Sequence, residues 1–140
     1  MKVKYNLNEN DFETVFSFLS NRSYWSKGIS KACLKHACEN SLCFVIHNNN
    51  KLCAFARVVT DQATFANLLD VFVLEPFRGR GLGKQLITAI MADKRLQDLR
   101  RFTLTTKDAH GLYAQYGFTK PLYPEGLMEN YNPNIYTHVT

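Results

Sequence analysis

The stretch Glu75–Leu86, EPFRGRGLGKQL, decides how the rest of the chain is read. Gly79, Gly81 and Gly83 alternate with Arg80 and Leu82; Arg78 precedes them and Lys84 follows. Upstream, Phe65–Leu74 (FANLLDVFVL) is apolar almost throughout, as in a strand buried on both faces, with Asp70 the exception. Downstream, Leu82, Leu86, Ile87, Ile90 and Met91 recur at the spacing of one helix face. The glycines therefore lie between a buried strand and a helix start. Glycine there lets main-chain N–H groups point inward with no Cβ in the way. The helix N-terminus adds unpaired donors and partial positive charge, and Arg78, Arg80 and Lys84 add full charges. Such a turn suits a diphosphate. It is neither of two better-known phosphate loops. A P-loop needs Ser or Thr after Gly-Lys to meet magnesium, and Gln85 stands there. A dinucleotide fingerprint needs a third glycine where Lys84 stands.

Working outward, Val3, Tyr5 and Leu7 alternate as in a strand, and Asn8 reads as the cap of a helix carrying Phe12, Val15, Phe16 and Leu19. A loop, Asn21–Gly28, holds Tyr24 and Trp25. A second helix starts at Ser30, with Ile29 and Leu34 as a hydrophobic staple, and ends near Asn40. LCFVIH and LCAFARVV, joined by NNNK, read as a hairpin. Beyond the glycine turn and its helix, RFTLTT is a short strand. DAHGLYAQYGF starts as a helix capped by Asp108 and stopped by Gly117. The tail from Phe118, with Pro121, Pro124 and Pro133, reads as loops with one or two late strands. The order is β-α-α-β-β-β-α-β-α-β: an α/β layout, antiparallel in its first half, with a parallel right-handed crossover over Phe65–Thr105.

The 140 residues suit one domain, 1–140, with one core; 46 % are apolar and 21 % charged, a folded composition. No apolar run reaches a membrane span, and MKVKYNLNEN has no apolar leader, so a cytoplasmic location is the default. The net charge of +5 permits an anionic partner, but no dense basic stripe with interleaved aromatics points to nucleic acid. Cys33, Cys38, Cys43 and Cys53 form no CxxC and have no histidine pair at ligand spacing, so no metal is expected.

The stretch VLEPFRGRGLGKQLI resembles the acetyl-CoA-binding motif of the GNAT (GCN5-related) N-acetyltransferases, whose pattern is Arg/Gln-x-x-Gly-x-Gly/Ala. AHGLYAQYGF resembles that family's later motif, an alanine followed by Leu-Tyr and then Gly-Phe. Order and spacing agree over essentially the whole chain; Thr106 departs, standing where many members carry asparagine. The resemblance implies a GNAT-like mixed sheet, antiparallel then parallel, flanked by helices. It implies acetyl-CoA as donor and CoA as product. The diphosphate would rest on Arg78, Gly79, Arg80, Gly81, Leu82, Gly83 and Lys84. The pantetheine arm would pair with backbone of Asp70, Val71, Phe72 and Val73, where two central strands splay apart. Those backbone N–H groups could also polarise the thioester carbonyl.

An alkylamine acceptor, with a pKa near about 10.4, must lose a proton before attack. Asp70 is the first choice of base, since a carboxylate in an apolar strand needs a reason to be there. It shares a face with Asn67 only if a bulge intervenes. The alternatives are that Asp70 pairs with an arginine, or that waters relay the proton with no single base. The resemblance gives Tyr113, four before Gly117, the part of acid toward the leaving thiolate and a contact with the cofactor. His110 lies one turn earlier. Tyr24 and Trp25 are expected to wall the acceptor cleft, or else to close the core. Asp61 and Glu125 are other carboxylates that could meet an amine. A small-molecule amine is preferred to a protein tail, and a homodimer is left open. The rivals are a non-catalytic acyl-CoA sensor, a peptide acetyltransferase, a nucleic-acid module and a cysteine acyl-enzyme.

Overall fold

The computed structural model describes residues 2–137. The elements are β1 (Val3–Lys4), α1 (Glu9–Arg22), α2 (Lys31–Glu39), β2 (Leu42–Asn48), β3 (Lys51–Thr60), β4 (Phe65–Val73), α3 (Leu82–Ala92), β5 (Arg101–Leu104) and α4 (His110–Ala114), with three short 3-10 turns between and after them. The strands form one sheet in the order β1-β2-β3-β4-β5. All neighbours are antiparallel except β4 and β5, which are parallel and joined through α3. The α/β reading and the change from antiparallel to parallel pairing are both present.

Local chemistry explains the elements. Asn8 caps α1 reciprocally with Asp11, whose carboxylate accepts from the Asn8 amide at 3.2 Å while Asn8 Oδ1 accepts from the Asp11 amide at 2.8 Å. Asp11 also lies 2.8 Å from His47 Nε2, which ties α1 to β2. Ser30 caps α2, and Ile29 and Leu34 are buried in one cluster, as the staple requires. Asn49 and Asn50 turn the β2–β3 hairpin at φ +51° and +65°, a left-handed pair that asparagine tolerates.

The sheet is packed on both faces. Val15, Phe18 and Leu19 of α1 and Leu34 of α2 cover Val45, Phe55 and Phe72 on one side. Leu82, Leu86, Ile87 and Ile90 of α3, with Tyr113 of α4, cover Phe44, Ala54, Ala56 and Leu68 on the other. Burying side chains of this size contributes about 1.5–3 kcal/mol each.

Two expectations are corrected, the cap of the last helix and the late strands. The cap of α4 is Ala109 with no side-chain bond; Thr106 Oγ1, not Asp108, accepts from the Ala109 amide at 3.1 Å. The helix itself is one short turn, closed by Gly117 at φ +91° and the Phe118 amide donating to the Tyr113 carbonyl. No strand follows β5 among the described residues: residues 119–135 are exposed loop with a 3-10 turn at Pro124–Gly126. The tail is held where Tyr136 packs on the α1–α2 side and its carbonyl crosses Gly28. A Cβ on Gly28 would lie 2.6 Å from that oxygen.

Candidate active site

The pairing of β4 with β5 runs from Phe65↔Arg101 to Leu68↔Leu104 and stops there, although β4 continues to Val73. Leu69–Val73 thus present an edge that no described strand covers. The split opens at the end of the sheet where α3 begins, beside the glycine turn.

The backbone of that turn could hold an anion. Gly79 and Gly81 have φ of +79° and +77°, and Gly81 is the N-cap of α3 with no side chain to satisfy its first turn. The backbone amides from Gly79 to Lys84 have no intramolecular acceptor among the described residues. A Cβ at Gly79, Gly81 or Gly83 would meet nothing within 4 Å, so open space lies before these amides. Arg78 folds back, its Nε donating to the Val73 carbonyl at 2.8 Å, and so ties the turn to the end of β4. The Arg80 guanidinium lies 5.5 Å from the centre of the Phe77 ring, and Lys84 is exposed. Six free amides beside three cations and an uncovered strand edge fit a diphosphate on an extended arm.

Register sets which side chains reach the split. On β3, Phe55 faces Phe72 and Arg57 faces Leu69, so one extra residue is accommodated on β4. Asp70 stands in that bulge at φ +58°. Ala66 and Leu68 pack on the α3 side, which turns Asn67 to the other face, where its Oδ1 accepts from Thr103 at 2.8 Å. The bulge brings Asp70 to that same face. Its Oδ2 accepts from Arg57 Nε and its Oδ1 from Trp25 Nε1, both at 2.8 Å. Arg57 Nη1 in turn donates to Ser41 Oγ at 3.0 Å. Asp70 is buried, so the arginine-paired alternative is the arrangement the side chains adopt.

Trp25 and Tyr24 stand edge to face at 5.0 Å in the α1–α2 loop, and both keep exposed surface. Trp25 also lies 6.4 Å from Phe18, which stacks on Phe72 at 4.0 Å. Lys107, from the β5–α4 loop, reaches over the Tyr24 ring at 5.2 Å, linking that loop to the α1–α2 loop. Neither Arg57 nor Lys107 was singled out in the sequence; each is one cation among 17.

Tyr113 is buried on the opposite, α3 side, in one apolar cluster with Val71 and Val73 and edge-on to Phe118 at 6.0 Å. Burial pushes its phenol above the ordinary tyrosine value. His110 is exposed. Asp61 does not join the site: it lies in the β3–β4 turn, at the far end of β4, where it accepts from the amides of Ala63, Thr64 and Phe65 and the hydroxyl of Thr64. Those bonds hold its carboxyl well below the usual range. Glu125 is exposed on the tail. The Cys43 and Cys53 thiols are turned to the carbonyls of Cys38 and Ile46. A surface depression of about 450 Å³ between α1 and Leu74 contains none of the expected site residues. No described helix is long and apolar enough to cross a membrane.

Residues 39–120 match the pattern of the acetyltransferase (GNAT) domain. A crystal structure of a GNAT-family protein from Xanthomonas campestris superposes with a TM-score of 0.92 at 47 % identity, covering 99 % of each chain. The N-acetyltransferase ycf52 of Pyropia yezoensis is 34 % identical over 80 residues, 56 % of this chain and 45 % of that one. N-alpha-acetyltransferase 80 of Mus musculus is 33 % identical over 86 residues, 55 % of this chain and 27 % of that one. The chain thus spans about half or less of the length of these two curated relatives.

Proposed function

The chain belongs to the GNAT acetyltransferase family, and from that premise we propose that it moves the acetyl group of acetyl-CoA to a primary amine of a small molecule, by direct attack. The observation that carries this reading is the run of unbonded amides from Gly79 to Lys84 beside the uncovered edge of β4. When bound, acetyl-CoA supplies the activated acetyl thioester.

The chain's own residues divide the work by face. The α3 N-terminus with Arg78, Arg80 and Lys84 holds the phosphates. The main chain of Val71–Val73 holds the extended arm, and its N–H groups stabilise negative charge on the carbonyl oxygen. Tyr113 Oη, on the α3 side, keeps its proton at neutral pH and gives it to the departing sulfur. The amine enters in its neutral form from the other face, between Trp25, Tyr24 and Lys107, and the proton it sheds as the C–N bond forms passes to solvent water. Leaving group and nucleophile are thus handled on opposite sides of the sheet.

A thiol-release assay with acetyl-CoA across amino acids, polyamines, aminoglycosides and peptide N-termini tests the reading. Release that depends on an amine supports it, and acetyl-CoA binding without transfer to any amine would identify an acyl-CoA sensor. The likeness to N-alpha-acetyltransferase 80 favours a second reading, a peptide N-terminus as acceptor, which the same panel separates.

A further inference from the structure

Asp70 has no free carboxylate oxygen: Arg57 takes one and Trp25 the other. Both carboxylate oxygens thus accept a bond from within the protein, the geometry of an anchor between segments. The same contacts join three separate parts of the chain. Arg57 stands on β3 and also bonds Ser41 at the α2–β2 turn; Asp70 is the bulge residue of β4; Trp25 belongs to the α1–α2 loop. The left-handed backbone at Asp70 is strained for a residue with a Cβ and persists only where surrounding bonds hold it, and these bonds do so. The bulge in turn decides which way the main chain of Val71–Val73 faces the split.

On the acetyltransfer reading, we propose that Asp70 is a positioning residue: gripped by Arg57, it fixes Trp25 and the α1–α2 loop over the bulge of β4, and so sets where the acceptor amine meets the thioester. The unit couples the wall that holds the amine to the strand that holds the donor. The other groups close enough to feel the Asp70 charge are Cys38 of α2, Cys43 of β2 and Tyr136 of the tail.

Two variants separate positioning from proton transfer. Two donors converge on Asp70, and an amide offers only one acceptor oxygen to them, so Asp70→Asn must leave one unbonded. Trp25→Phe keeps an aromatic wall, smaller by the pyrrole ring, and removes the N–H. Trp25 is the sole tryptophan, so its emission reports on the loop without any turnover. In Asp70→Asn the emission shifts to the red, and the KM for the amine rises about tenfold while that for acetyl-CoA changes less than about twofold. The acid limb of the kcat/KM profile keeps its position. Trp25→Phe raises the amine KM by a smaller factor, and the double variant is no worse than Asp70→Asn alone. Loss of the acid limb with a fall in kcat of about a hundredfold, at unchanged amine KM and emission, would make Asp70 the proton acceptor and overturn the proposal. A lowered melting temperature with both KM values unmoved would overturn it as well, leaving a purely structural pair. Absence of transfer by the wild-type chain to every amine would refute the acetyltransfer reading instead, while an unshifted Trp25 emission in Asp70→Asn would still refute the coupling.

Discussion

In the proposed mechanism, Tyr113 is the residue on which the departure of the sulfur rests. It sits on a helix of five residues, buried among apolar neighbours, and that burial raises its phenol above the ordinary value by penalising the phenolate. Its proton is therefore held at neutral pH until negative charge develops on the sulfur as the C–S bond breaks. Tyr113→Phe lowers kcat by about a hundredfold, within the usual range for a general acid, and leaves acetyl-CoA affinity unchanged; stopped-time turnover and equilibrium titration check both parts. The same shift affects stability. A folded-state value raised above the unfolded one, near about 10, leaves stability intact below that pH and removes it as pH rises through the folded value. Chemical denaturation at alkaline pH then shows wild type losing stability more steeply than Tyr113→Phe. Tyr113 was legible from its spacing to Gly117 and the family's motif. Asp70 was legible only as an anomaly, because its partners lie 13 and 45 residues away and are brought to it by the sheet.

At the scale of the element, the glycine turn and α3 act as one device. Gly81 ends the turn in a left-handed conformation and opens the helix without a capping side chain, which leaves its first amides for a ligand. Space beside it is open, so Gly81→Val meets no clash; the cost is backbone strain of about 1–2 kcal/mol. The strain turns the amides away, and acetyl-CoA binding weakens at least about tenfold, or about 1.4 kcal/mol. Arg78→Glu weakens it as much by a different route. It reverses a charge at the phosphates and removes the bond to the Val73 carbonyl that anchors the turn. Isothermal titration at two salt concentrations tells them apart, since only the charge reversal loses its effect as screening rises. This device could be read in advance because each part is local: alternating glycines, an apolar strand before and a 3.6-residue period after. The bulge at Asp70 could not be. It depends on how β3 and β4 count past one another, which strand composition does not record. The late strands expected in the tail fail for a related reason: Pro121, Pro124 and Pro133 remove ladder donors, and residues 119–135 bury almost nothing.

For the whole molecule, the open seam between β4 and β5 is the central fact. A sheet normally covers or blunts its edges, yet here Leu69–Val73 of an interior strand pair with β3 on one side and with no described strand on the other. The two apolar clusters hold the seam from either face, one under α1 and α2, the other under α3 and α4. Neither fills it. An arm that pairs with the edge would complete the sheet and join both clusters, and its diphosphate would satisfy the amides of α3. Ligand binding should therefore stabilise the native state as a whole. At a concentration about 100 times Kd the gain is about 2.7 kcal/mol, which raises Tm by roughly 8 °C for a chain of this size. Hydrogen exchange locates the effect: acetyl-CoA slows exchange at the amides of Leu69–Val73 that face the seam and at Gly79–Lys84, and spares the β2–β3 turn at Asn49 and Asn50. Protection of the α3 start alone would mean that only the phosphates dock there, and that the arm lies elsewhere. Uniform protection, with no excess at the seam, would mean that the edge of β4 is not where the donor binds.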